Sequence, residues 1–120
     1  MAERVVVRGH VRFEPGTPGF EGADLRLQLE DVSRADAASR VVARLTVPGV
    51  TRSEGTDNPI EFSLRTDAEL EKAASYVVRA HVDVSRSGGV NRGDFVSTQS
   101  YPIDQAHLPA TLDILVKLVR

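Results

Sequence analysis

Side chains change character at every second position through much of this chain. Ala23, Leu25, Leu27 and Leu29 alternate with Asp24, Arg26, Gln28 and Glu30, the period of a strand that buries one face and wets the other. A helix would scatter those leucines around its axis and leave no single apolar stripe. The same alternation predicts partner strands on both sides. Arg4–Phe13 sets Val5, Val7, Val11 and Phe13 against Val6, Arg8, His10 and Arg12, with Gly9 between the valines. Residues 40–47 turn Val41, Ala43, Leu45 and Val47 inward until Pro48-Gly49 stops the run. Ile60, Phe62 and Leu64 mark a short strand, and Tyr76, Val78, Ala80, Val82 and Val84 a longer one. A weaker strand surrounds Phe95 and Ser97, and residues 111–119 turn Leu112, Ile114, Val116 and Leu118 inward to close the core.

The connectors carry turn chemistry. Residues 14–22, EPGTPGFEG, combine prolines that remove ladder donors with glycines that permit tight turns. Residues 31–39, DVSRADAAS, break the alternation with short polar side chains that bond neighbouring amides. Residues 51–59 are polar, and residues 85–93, SRSGGVNRG, predict a hairpin. Residues 67–75, DAELEKAAS, predict one or two helical turns, with Thr66 as N-cap and Glu69 completing a capping box. About seven short strands without long helices or repeats indicate an all-β fold. Residues 1–120 are expected to form one antiparallel β-sandwich of immunoglobulin or transthyretin-like type, with a small closed barrel as the alternative.

Composition removes several function classes. The 120 residues contain no cysteine, which excludes disulfides, thiolate metal sites and cysteine nucleophiles. A net charge of −2, with both signs interspersed, gives no basic face for nucleic acid. Of 15 basic residues only Lys72 and Lys117 are lysines; arginines such as Arg8, Arg12, Arg26, Arg44 and Arg79 fall on outward strand positions and read as a solvated face. No segment approaches the ~18 apolar residues of a membrane span, and the N-terminus has no signal-peptide pattern. As written the chain is expected to be cytoplasmic, without a span or lipid anchor, or periplasmic if it is a trimmed mature domain.

Three groups of residues bear on function. Asp31, Ser33 and Asp36 are oxygen ligands in one loop, of the kind calcium takes, but two carboxylates are few, and Asx-type turns account for the same residues. His10 and His81 lie on polar strand faces with Asp83 two positions beyond His81; a two-histidine, one-carboxylate metal site would need their strands to be neighbours, and exposed histidines are commoner. His107 suggests nothing. Ser33, Ser97 and Ser100 lack a nucleophile-elbow context, and no phosphate loop or zinc-protease helix occurs, so neither enzymatic activity, a metal nor a cofactor is expected. Val6, Val42, Val77, Val96, Leu115 and Val119 are apolar residues on the supposedly wet face. Val77, Leu115 and Val119 are the candidate partner surface, where a helix, an added strand or a second copy would dock.

These residues also carry a family resemblance. Gly9-x-Val11, Ala23-x-Leu25-x-Leu27-x-Leu29-x-Asp31-x-Ser33-x-x-Asp36, Pro59-Ile60-x-Phe62-x-Leu64, Tyr76-x-Val78-Arg79-Ala80 and Tyr101-Pro102-Ile103 resemble the YbaY-like lipoproteins, which include the YscW-type pilotins of type III secretion. The resemblance runs from about Val5 to Val119 and is most specific at L-x-L-x-L-x-D-x-S-x-x-D. It implies a β-sandwich and, in the pilotin branch, a chaperone that binds a secretin subunit on its way to the outer membrane. Such proteins are typically exported and acylated on a cysteine, which this sequence lacks. The expected function is therefore non-enzymatic protein binding, with a secretin, another envelope protein or a second copy as partner. The alternative is a structural or small-ligand, carbohydrate-type domain. Aromatics at 5% and no tryptophan disfavour a stacked-sugar platform.

Overall fold

A computed structural model describes residues 3–34, 37–55 and 59–120. Among the described residues seven strands follow one another: β1 Arg4–Phe13, β2 Phe20–Asp31, β3 Arg40–Arg52, β4 Ile60–Thr66, β5 Tyr76–Asp83, β6 Phe95–Ser97 and β7 Ala110–Leu118. They form one hydrogen-bonded sheet in the order β3-β2-β5-β6-β7-β1-β4, so the expected two sheets are replaced by a single sheet curled almost into a barrel. Alternation reveals which side of a strand faces the interior but not whether the sheet is continuous. All neighbours are antiparallel except β1 and β7, which run parallel from Val7↔Ala110 to Phe13↔Val116. That pairing departs from the all-antiparallel expectation, because strand direction leaves no mark on a period-2 pattern.

The inward leucines of β2 set the core. Leu25, Leu27 and Leu29 are 0% exposed, each contributing roughly 1.5–3 kcal/mol by leaving water. At one end of the interior Phe13, Phe20 and Phe95 pack with ring centroids 5.1 to 5.7 Å apart. The Arg52 guanidinium lies 4.8 Å from the Phe13 ring centre and donates to the Thr17 and Pro18 carbonyls. At the other end Tyr76 and Tyr101 are buried; the Tyr101 hydroxyl accepts the Leu115 N–H at 2.8 Å.

Local departures from the sequence expectation have physical causes. The β1–β4 register shifts between Val5 and Val7, a bulge that turns Val6 inward, so Val6 is buried with Val7 and does not face solvent. Strand β3 continues through Pro48-Gly49 to Arg52. Its ladder with β2 is irregular there, and as an edge strand it tolerates a proline that a central strand would not. No helix forms over residues 67–75. Thr66 Oγ1 still accepts the Ala68 N–H at 3.1 Å, but the segment is too short to propagate beyond turns.

Candidate functional site

The edges of the sheet are β3 and β4. Among the described residues no ladder joins them, and a seam runs down the barrel wall. Its consequence shows in β3: Ala43, Leu45 and Val47 are half-buried, whereas their β2 partners Leu29, Leu27 and Leu25 are fully buried; Val41, expected inward, pairs instead with Glu30 beyond a register shift. Ile60, the first residue of β4, is half-buried as well. Edge strands carry unpaired backbone groups, so the seam offers both main-chain donors and acceptors and a partly open apolar lining.

The Arg40 end of β3 leads into a cavity of about 530 Å³ lined by Asp31, Ser33, Arg34, Ala37, Ala38, Arg40, Glu71, Ala73 and Ala74. Asp31 and Ser33 build its wall. Asp31 Oδ1 accepts the Ser33 N–H at 2.9 Å and the Ser33 hydroxyl, and Ser33 Oγ accepts the Ser75 N–H at 2.9 Å. The Val32 N–H donates to the Ser75 carbonyl at 2.9 Å. The motif loop is thereby stitched to the connector before β5. The two Ser33 hydrogen bonds, aided by the nearby Arg40 and Arg34 charges, hold the Asp31 carboxyl below its usual value. Asp36, the third member of the candidate loop, lies outside the described residues.

The candidate partner residues do not share one open face. Val77 lies on the outer side of β5, opposite Glu30 and outside the core cluster, but it is only 8% exposed and forms a bridge with Pro102, which runs alongside β5; the expectation of an open surface position there is corrected. Leu115 and Val119 are half-buried on and just after β7. Leu115 borders a second cavity of about 270 Å³ with Arg12, Phe13 and Arg52 among its walls. The Val119 backbone is engaged, donating to the Asp94 carbonyl at 2.8 Å and accepting the Gly93 N–H at 2.9 Å.

His10 and His81 are not neighbours. His10 pairs in register with Asp113 on β7 and Glu61 on β4, while His81 pairs with Val96 on β6. His81 instead meets Asp94, its Nε2 2.9 Å from Oδ2, a partner hidden from the alternation because Asp94 closes the connector before β6. Asp94 also accepts the Val84 and Asn91 N–H groups, each at 3.0 Å. Asp83 accepts Gly88 N–H at 2.8 Å, Ser87 N–H at 3.2 Å and the Arg26 guanidinium at 3.1 Å. Burial works against the charged form of Asp83, but these donors outweigh it and hold its carboxyl below the usual value. The two aspartates thus fold the connector of residues 85–93 over the outer face of β5, leaving Val90 59% exposed at its tip.

Comparison with known proteins follows the fold. The chain superposes on a structure described as an alternative pilotin from the type II secretion system of Vibrio cholerae, with a TM-score of 0.75 and 21% identity over 99% of both chains. No curated protein matches. Residues 2–115 match the family profile of YscW, described as the type III secretion system lipoprotein chaperone; that description names a chaperone and not an enzyme class. By that match the chain belongs to the YscW family.

Proposed function

We propose that this chain is a non-enzymatic protein-binding accessory of a secretion system, and that it receives an extended or amphipathic segment of a secretin or another envelope protein along the β3–β4 seam. The half-buried inward face of β3 carries the reading. A fully closed barrel of this size would cover Ala43, Leu45 and Val47 as completely as it covers Leu27. A segment laid in the seam would pair with free edge groups or cover the apolar lining, and the cavity at the Arg40 end would take its polar terminus between Arg34, Arg40 and Glu71. Family membership supports a chaperone role, and the pilotin neighbour shows that the fold occurs in a protein described as serving secretion.

Photo-crosslinking in the native host tests the proposal. A crosslinkable residue at Arg44 or Thr46, both exposed on β3, is expected to form an adduct with a secretin or another envelope protein. The same group at Lys117, exposed on β7, is expected to form little. No adduct, or equal yields at the two positions, would overturn the seam assignment.

A further inference from the structure

We propose that His81, Asp83 and Asp94 form a binding site for one divalent transition metal of the zinc class. A ligand atom from each lies within 4.8 Å of the others. The His81 side chain is 15% exposed, and those of Asp83 and Asp94 are 0% and 1% exposed. Two ligands on one zinc ion at ordinary bond lengths stand about 3.3 Å apart. The 2.9 Å between His81 Nε2 and Asp94 Oδ2 is therefore already close to a shared-ion separation. Positions 81 and 83 project from the same side of β5, and Asp94 faces them from the start of β6, so the three groups converge from two strands on a single point.

Charge balance favours a divalent ion. Asp24, Asp83 and Asp94 surround the site, and Arg26 is the cation bonded to Asp24 and Asp83; with a neutral imidazole the sum is −2. The contacts already made leave room. Among the described residues Asp94 Oδ1 accepts the Val84 N–H, while Oδ2 takes Asn91 N–H and His81. Asp83 takes Ser87 N–H on Oδ1, and Gly88 N–H and Arg26 on Oδ2. Each carboxylate oxygen offers about two lone-pair directions, so the metal would displace the His81–Asp94 hydrogen bond and loosen Arg26 from Asp83. Arg26 would keep Asp24, whose Oδ2 lies 3.3 Å from the same NH2 group.

A mixed nitrogen and oxygen donor set suits zinc-like ions, whereas calcium and magnesium prefer oxygen alone. A cavity of about 360 Å³, lined by Arg26, His81, Gly88, Val90, Val96 and Ser97 among others, gives an ion its path from solvent and space for a further ligand.

The test is thermal unfolding of chelator-treated protein with and without zinc chloride. It is run in a His10→Gln/His107→Gln background, which removes the exposed His10–Asp113 and His107–Asp104 pairs. Zinc at about tenfold over its dissociation constant should raise the midpoint by about 6 °C. His81→Gln, which retains a side-chain donor toward Asp94 but is a poor metal ligand, should abolish the rise. Arg26→Gln should enlarge it by removing the competing cation. Calorimetry at 25 °C should give one ion per chain in the background protein and none in His81→Gln. No binding, or binding unchanged in His81→Gln, would overturn the proposal.

Discussion

Gly9 occupies a point where no side chain fits. A Cβ placed there would lie 1.7 Å from the Leu112 carbonyl oxygen, across the parallel contact between β1 and β7, so backbone would have to move. Gly9→Ala is expected to cost about 3 kcal/mol, at the upper end of ordinary overpacking, and to lower the unfolding midpoint accordingly in a denaturant melt. Glu30 shows a second residue-scale effect. Burial opposes its charge, but hydrogen bonds from Ser39, Arg79 and Gln28 prevail and hold its carboxyl below the usual glutamate value. Such a group stabilises the fold above its unfolded value, and the contribution fades as pH falls through the lower folded value. Glu30→Gln should cost about 1 kcal/mol at neutral pH, kept small because Arg79 is largely exposed and solvent screens the pair. The variant should lose less stability than the parent between neutrality and pH 3, as read from urea midpoints. Inward residues were legible where alternation was strict, as at Leu25 to Leu29. Val6 escaped because one bulge reverses the facing of a residue, and Asp94 because a loop carboxylate gains its role only when β6 returns beside β5.

At the scale of elements, alternation alone gives Arg4–Phe13 the boundaries of β1 and marks the strand at Phe95 despite its three residues. The prolongation of β3 past Pro48-Gly49 was not, since a proline that ends a central strand is harmless on an edge. Strand β7 presents Leu115 outward, half-buried beside Arg12 and Phe13. Self-association through this face makes a distinct prediction. If Leu115 and Val119 meet a second copy, sedimentation of the parent should show a dimer growing with concentration. Leu115→Glu should remain monomeric under the same conditions. A parent that stays monomeric at high concentration removes self-association and leaves the proposed seam to be tested by crosslinking.

For the whole molecule, one shared interior was legible because the alternating runs all needed the same apolar partner. The topology was not, since a period of two carries no record of which strand lies beside which. The YscW match and the V. cholerae pilotin superposition agree with the resemblance carried by L-x-L-x-L-x-D-x-S-x-x-D. The geometry adds where such a protein is incomplete. Among the described residues no ladder joins the edge strands β3 and β4, and the charged cavity at Arg40 lies at the β3 end of that gap.

The parallel contact of β1 with β7 has a consequence for biosynthesis. Arg4–Phe13 is translated about a hundred residues before one of its two neighbours, Ala110–Leu118. Until then the nascent sheet has a second bare border, with Val11 and Phe13 short of their final cover, a state prone to sticking to other chains. The growing polypeptide would therefore need shielding until its distant strand emerges.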